Sequence, residues 1–406
     1  MKPLYVALGL AAFVSVLCIY SSTQADSGAA LALRQTLWIG IAVASMLVLS
    51  HIRLKTISAL AYLIYGLSLA MLALVLVAGT GPYGTSRWFD IGFLRFQPSE
   101  FAKLATILAL ARYLSETKTM GDSLERVTKA AGIAVLPALL VLFEPDLGSA
   151  IVIGFLALPM LFASGVSPLF LVFLLSPVLA FVFTSGAAIY KTWVGWTILL
   201  AYLAGLLYVG RFRTSVAILI VAITLGVGAS AHHIYNELEP YQRKRVEAIF
   251  RQDKFTKDEL RYGPGFHAIQ SRIAIGSGQV RGKGVFNGTQ KALGLVPAQH
   301  TDFIFSVIGE ETGFLGSVFV LILLLYISLA SFSVAGVVRN RFFYYVCFGV
   351  GTVIMLQILI NVGMNLGLTP VTGLPLPFIS YGGSSALVMW SAMGLVLSAY
   401  RARREY

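Results

Sequence analysis

The sequence predicts an all-α polytopic integral membrane protein with about 12 transmembrane helices and a large loop on one side. Three observations carry that prediction. Of 406 residues, 57% are hydrophobic and only 12% are charged, about half the charged share of an ordinary soluble domain. Apolar runs of about 18 residues or more recur from end to end, the length a helix needs to cross the hydrocarbon core. Segments of about ten residues with alternating polarity, which would mark a membrane barrel, do not occur. In lipid each backbone amide then needs a partner in its own segment, and only helices supply one.

The first span is 4–22. Lys2 ahead of it and the small residues near Ala25 give it the outline of a signal peptide, but it is long enough to remain as a helix. Spans at 33–50 and 57–79 follow. The span at 99–114 opens on Pro98-Ser99-Glu100, with proline and an acid where a first helical turn favours them. Spans 128–143 and 147–164 flank "FEPDLGSA" (143–150), where Asp146 is placed to cap the second of them. Then come 167–185, 193–210, 214–232, 303–330, 342–366 and 384–400.

The basic residues test this order. Arg53 and Lys55, then Arg112, Lys118, Arg126 and Lys129, then Arg211 and Arg213, Arg339 and Arg341, and finally Arg401, Arg403 and Arg404 all fall on one side. That side is cytoplasmic by the positive-inside rule, and both termini lie there. The opposite side receives 80–98, the long stretch 233–302, and 367–383. The long stretch is itself strongly basic. Loops longer than about 60 residues escape the charge rule, so topology tolerates these charges without asking for them; an anionic partner on the outer face would ask for them. The net charge of +12 therefore reads as orientation and attraction to lipid headgroups or phosphates, not as nucleic-acid binding. Cys18 and Cys347 are placed near opposite faces, too far apart to pair. The chain has no appended soluble domain, no glycine-rich nucleotide loop and no metal-spaced His/Cys cluster, and His267 and His300 are too far apart in sequence for a zinc pair.

Four polar stretches hold the candidate chemistry. In "GTSRWFDIGFLRFQPSEFAK" (84–103), Arg87, Asp90, Arg95, Glu100 and Lys103 crowd a membrane boundary beside Trp88, Phe93 and Phe96. Lys103 lies one turn after Glu100, so the two can pair. It falls about 6 Å inside its helix, where ionisable groups face a cavity or the protein interior. "PAQHTDFIFSVIGEETGFLG" (297–316) re-enters the membrane with Thr301 or Asp302 as N-cap. Glu310 and Glu311 follow at about 12 Å depth, for function or for pairing with an arginine. "GLTPVTGLPLPFISYGGSS" (367–385), with Pro370, Pro375 and Pro377, cannot be regular helix and must line protein or a wet cavity. In the long stretch, Asp253, Asp258 and Glu259 precede the bend Gly263-Pro264-Gly265 among many Arg and Lys. A carboxylate in such surroundings stays ionised and can act as a general base, although for any one of the three taken alone a solvated surface acid is the more ordinary role.

The ordered set "SRWFDIGFLRFQPSEFAK", "EPDLGSA", "YQRKRVEAIF", "GPGFHAIQSRIAIGSG", "RGKGVFNGTQ", "PAQHTDFIFSVIGEETGFLG" and "PLPFISYGGSS" resembles the SEDS family (shape, elongation, division and sporulation). "IAIGSG", "GKG" and "GTQ" are most similar to its elongation branch, with the division branch as alternative. The resemblance implies a peptidoglycan glycosyltransferase that polymerises lipid II on the outer face of the cytoplasmic membrane. It implies Asp258 as the base, with Glu259 and Asp253 left as alternatives because no proline follows Asp258 as it usually does in the family. Arg243, Arg245, Arg272 and Lys283, together with Arg87 and Lys103, would serve the substrate's pyrophosphate. Trp88 and His267 would touch sugar or headgroup, and Glu100, His300, Asp302 and Glu311 would complete the substrate face. No cofactor is certain, a divalent cation at the pyrophosphate being one candidate. The implied partners are lipid II, the nascent strand, a class B penicillin-binding transpeptidase and the elongation machinery. Family chains usually have ten spans; this one has an extra pair around 187–232, within a single domain, 1–406, whose large outer loop is 233–302. A lipid flippase and a scaffold are the competing classes.

Overall fold

The computed structural model describes residues 2–23, 28–81, 86–91, 94–117, 124–190, 193–210, 212, 214–237, 264–289 and 299–403. Among them are fourteen helices and one hairpin. They fall into two compact units, residues 1–118, 129–160 and 266–406, and residues 119–128 and 161–265.

The first unit begins with three long helices, α1 (Lys2–Ser22), α2 (Gly28–His51) and α3 (Leu54–Ala78). A short hairpin, β1 (Phe89–Ile91) and β2 (Leu94–Phe96), pairs Asp90 opposite Arg95, and their side chains lie 3.0 Å apart. The sequence reading gave this stretch no strand, because three-residue strands carry too few alternations to show a period. Then come α4 (Pro98–Glu116), α5 (Leu124–Phe143) and α6 (Leu147–Ala163), the last two continuing into the second unit's residue ranges. After the second unit, α11 (Pro264–Ser277), α12 (Ile304–Val337), α13 (Arg341–Asn365) and α14 (Gly383–Ala402) complete the bundle.

Small and hydroxylated residues let these helices approach closely, as helices in lipid require. Along the α2–α14 seam the Ser45 and Ser391 hydroxyls are 2.7 Å apart and Ser398 Oγ donates to Ile52 O at 2.9 Å. A Cβ on Gly383 would stand 2.3 Å from the Trp38 ring. Between α4 and α13, a Cβ on Gly349 would be 2.8 Å from Ile107. Leu72, Ala102, Ala138, Val141, Ala150 and Ile153 form a buried cluster joining α3 to α6.

The second unit holds α7 (Pro168–Leu174), α8 (Ser176–Tyr190), α9 (Val194–Val209) and α10 (Thr214–Glu237). The expected single span at 167–185 is two helices. Pro177 has no N–H to donate to Phe173 O, which accepts the Ser176 hydroxyl instead, and the helix is interrupted at Leu175. Ser176 and Thr224 place their hydroxyls 3.1 Å apart between α8 and α10.

Among the described residues, eight helices, α1, α2, α3, α5, α10, α12, α13 and α14, are long and apolar enough to cross a membrane, and α6 and α9 are shorter apolar helices. The stretch 233–302 is not loop throughout. α10 runs on to Glu237 and α11 occupies Pro264–Ser277. Ser271 on α11 donates to Asn365 O at 2.8 Å, and Ala274 packs with Phe303 and Met364, so α11 is held by the bundle it follows.

Candidate functional site

The polar residues of the first unit gather where α4, α6, α12 and α14 begin and α1, α5 and α13 end. The "EPD" turn between α5 and α6 organises one part. Asp146 caps α6 as expected, accepting the Ser149 N–H on Oδ1 at 3.1 Å. Its Oδ2 also accepts from Gln97 Nε2 at 3.1 Å and Ser99 Oγ at 3.3 Å, so one carboxylate fixes the start of two helices. The Gln97 N–H in turn donates to Ser384 Oγ, whose hydroxyl donates to Arg95 O, both at 3.1 Å. Arg87 clamps the turn by donating from Nε to Glu144 O at 2.9 Å and from Nη2 to Pro145 O. Trp88 pairs with Thr80 across an isolated bridge.

Glu144 is buried, and neither carboxyl oxygen has a hydrogen-bond partner among the described residues. Burial, then the negative charge of Asp146, push its carboxyl up to about 8, against the opposing pull of Arg87. It is therefore largely protonated at neutral pH. An acid whose folded pKa lies above its unfolded value contributes no penalty below the unfolded pKa. It costs stability progressively between the two values. The unfolding temperature of the wild type should thus fall as pH rises from about 5 to 8, and Glu144→Gln should flatten that slope. Equal slopes in wild type and variant would refute the assignment.

Glu100 and Lys103 form the ion pair that their spacing predicts, with Lys103 Nζ 2.5 Å from Glu100 Oε1 and both side chains buried. Lys103 borders a small cavity whose other walls are apolar residues of α4, α13 and α14, among them Ile107, Val353 and Met389. Its charge meets Glu100 within the protein.

Around Glu310 and Glu311 the backbone itself is rebuilt. Gly313 interrupts α12 with φ 67° and ψ −162°, a region closed to most side chains. The break forfeits the helical bonds from Phe314 to Glu310 and from Leu315 to Glu311. The segment after α11 replaces both halves of each. Lys283 N–H donates to Glu310 O and Gly284 N–H to Glu311 O, each at 3.0 Å. Phe314 N–H donates to Gln279 O at 2.8 Å and Leu315 N–H to Val280 O at 3.2 Å. Gly282, at φ +79°, lies so close that a Cβ would be 2.1 Å from Glu311 O. An unpaired amide in an apolar helix would cost several kcal/mol in lipid, so this clip is what permits the kink. Glu310 Oε1 accepts from Lys283 Nζ at 2.7 Å, from Thr289 N–H at 2.8 Å and from Thr289 Oγ1 at 2.9 Å. Glu311 Oε1 accepts from Ser21 Oγ at 2.5 Å. Among the described residues the fold brings Lys283 to Glu310 and Ser21 to Glu311.

Neither Thr301 nor Asp302 caps α12. Phe303 occupies the cap position without a side-chain bond, and the Asp302 carbonyl accepts instead from Asn361 Nδ2 at 2.9 Å and Asn365 Nδ2 at 3.2 Å. The proline-rich stretch before α14 is non-helical, as its prolines require, and its polar backbone is held from several sides. Ser15 Oγ donates to Ile379 O at 2.8 Å, Gln35 Nε2 to Ser380 O at 3.4 Å, and Ser380 Oγ to Thr301 O at 2.6 Å. Tyr381 N–H donates to His300 O at 2.9 Å, and the two rings meet edge to face. His267 lies against Phe303. Burial lowers the pKa of both histidines, which keeps them neutral at pH 7. Arg272 is exposed and lays its stem over Gly367.

Ten of the expected substrate-face residues are thus placed: Arg87, Trp88, Glu100, Lys103, His267, Arg272, Lys283, His300, Asp302 and Glu311. Asp258, Glu259, Asp253, Arg243 and Arg245 lie outside the described residues. The sequence reading missed Gln97, Ser384, Asn361 and Asn365 as organisers. Asn361 and Asn365 had a signal, two amides one turn apart on an apolar helix; Gln97 and Ser384 had none. Among the described residues no group of three or more His, Cys, Asp or Glu could hold a metal ion.

This fold and site define a multi-pass helical membrane protein with a polar, partly re-entrant face built on one end of its first unit. The chain matches the family model of FtsW, RodA and SpoVE, described as a cell cycle protein, over residues 2–193 and 174–405, and it belongs to that family, the SEDS family of the sequence motifs. It is 31% identical to the peptidoglycan glycosyltransferase MrdB of Escherichia coli K12 over 96% of this chain and 90% of the relative. It is 30% identical to the stage V sporulation protein E of Bacillus subtilis over 99% and 95%. Among solved structures, a chain of a peptidoglycan synthase complex, described as coordinating polymerization and crosslinking, superposes with a TM-score of 0.72 at 27% identity, covering 100% of this chain and 99% of that one. The rod shape determining protein RodA of Thermus thermophilus superposes with a TM-score of 0.64 at 25% identity, covering 99% and 97%.

Proposed function

We propose that this chain is a peptidoglycan glycosyltransferase that polymerises lipid II during cell elongation, at the outer face of the bacterial cytoplasmic membrane. The observation that carries the reading is its likeness, over nearly its whole length, to a relative named as such an enzyme. The donor is the growing strand on undecaprenyl pyrophosphate and lipid II is the acceptor. Asp258 takes the proton of the acceptor GlcNAc 4-hydroxyl, and that oxygen attacks the donor's anomeric carbon. The bond to pyrophosphate breaks, and a single displacement turns α into β. Negative charge grows on the departing pyrophosphate, and Arg243, Arg245 and Arg272 stabilise it, with Arg87 beside the EPD turn, while Lys283 binds a pyrophosphate oxygen already in the ground state. A divalent cation can share that task.

The side assignment has physical support. Arg53, Lys55, Arg401 and Arg403 collect at the ends of α2 and α14 away from the polar face, where Arg401 donates to Ser50 O at 3.2 Å. The positive-inside rule makes that end cytoplasmic, with the termini there and the polar face outside. Twelve spans, with the family's ten supplemented by a pair in 187–232, keep that parity. A class B penicillin-binding transpeptidase is the partner, in keeping with the crosslinking activity of the similar complex.

The test is direct. The chain, purified with its transpeptidase and given lipid II in detergent, should make glycan polymer that persists when a β-lactam blocks the transpeptidase serine. Lipid II that crosses liposomes without being joined would make the protein a transporter instead.

A further inference from the structure

Glu310 has no place in the reaction above, yet no other side chain of the first unit gathers as many described donors on one oxygen. We propose that Glu310 is a positioning residue for substrate binding: it holds the Lys283 ammonium in place, with one donor left for a pyrophosphate oxygen. The inference rests on the glycosyltransferase reading and assigns a role within that site. An ammonium has three donors. Here one goes to Glu310 Oε1 at 2.7 Å and one to Thr289 Oγ1 at 2.6 Å. Thr289 is itself fixed by the same carboxylate oxygen, through its N–H and its hydroxyl. The third donor is uncommitted among these contacts, and the Lys283 side chain is 26% exposed whereas Glu310 is 1% exposed. The carboxylate thus anchors from inside the protein while the ammonium reaches its surface.

The anchor is rigid for a reason visible in the backbone. Lys283 N–H is bonded to Glu310 O, and the neighbouring Gly284 N–H to Glu311 O. Main chain and side chain of Lys283 therefore both terminate on Glu310. A lysine on a flexible four-carbon stem normally loses much rotamer freedom on binding an anion. Fixing both ends in advance removes that cost from substrate binding, which is the meaning of preorganisation. A purely structural ion pair would need neither the exposed ammonium nor the Thr289 fork that leaves it one donor short.

The experiment measures initial polymerisation rates against lipid II concentration for the full chain with its transpeptidase, alongside thermal unfolding. Lys283→Ala and Glu310→Gln should each raise KM, about tenfold and several-fold respectively, with kcat within about twofold, because a ground-state contact is lost. Glu310→Gln keeps an acceptor of the same shape, so it tests the role even where Glu310→Ala fails to fold. Adding Glu310→Gln to Lys283→Ala should raise KM no further, since Glu310 acts through Lys283. The exchange Lys283→Glu with Glu310→Lys should recover most of the unfolding temperature of the pair but not the KM. Overturning results are an exchanged pair with wild-type KM, a Glu310→Gln enzyme with unchanged KM, or KM effects that multiply in the double variant. A wild type that makes no polymer would remove the glycosyltransferase reading, and this role with it; a wild type that polymerises beside any of those results removes the role alone.

Discussion

Asp258→Asn will assemble with its transpeptidase, unfold at the wild-type temperature and polymerise lipid II at least about a hundredfold more slowly, within the range that loss of a general base produces. Asparagine keeps the shape of the side chain but cannot accept the hydroxyl proton. The GlcNAc 4-hydroxyl is a poor nucleophile until that proton leaves, and the anomeric carbon it attacks is flanked by a leaving group that already carries charge. Basic residues supply the electrostatics for the pyrophosphate, but cations cannot take up the proton. The same assay resolves the alternatives, because Glu259→Gln and Asp253→Asn should polymerise within a few-fold of wild type if Asp258 is the base. Should Asp258→Asn polymerise normally while either of the others is dead, the base has been assigned to the wrong carboxylate.

Lys103→Met will lose about 3–5 kcal/mol of stability, the usual consequence of removing one member of a buried pair. Both partners are buried, and Glu100 Oε2 has no hydrogen-bond partner among the described residues. Without Lys103 the buried carboxylate charge loses the cation that it meets here. The thermal unfolding of a detergent-solubilised fluorescent fusion, followed by size-exclusion chromatography, reads the loss. The double variant Lys103→Met with Glu100→Gln should regain most of it, because the stranded charge goes too. A Lys103→Met protein as stable as wild type would mean that Glu100 finds another cation or a proton at little cost.

The Glu100–Lys103 pair was legible in the sequence because it is local: residues three apart on a helix share a face. The Asp146 cap and the proline-marked start of α4 were legible for the same reason. The clip on α12 was not. "IGEETGFLG" reads as unbroken apolar helix, because the bonds that permit a break at Gly313 come from residues about 30 positions earlier and leave no local mark. The hairpin at 89–96 was missed for its shortness, and the break at Leu175 because a proline inside a span also fits one continuous helix, as at Pro137 in α5 and Pro159 in α6. The expectation that Thr301 or Asp302 caps α12 followed residue preference. In the fold, the amides of Asn361 and Asn365 engage the Asp302 carbonyl, and the helix begins at Ile304.

By itself the sequence determined the class of protein, the apolar spans, the sidedness suggested by its basic residues and, through its ordered motifs, the family. Those properties are sums over neighbouring residues, such as hydrophobic length, charge per loop and cap position, and they survive any arrangement of the helices. Only the tertiary structure decided that Lys283 meets Glu310, that Gln97 and Ser99 share Asp146, and that Gln35 holds the backbone at Ser380. Each of those bonds joins chemically ordinary residues far apart in the chain. Which of many equivalent polar groups becomes a partner depends on which helices pack together, and close packing of small residues on helix faces settles that only when the whole bundle forms.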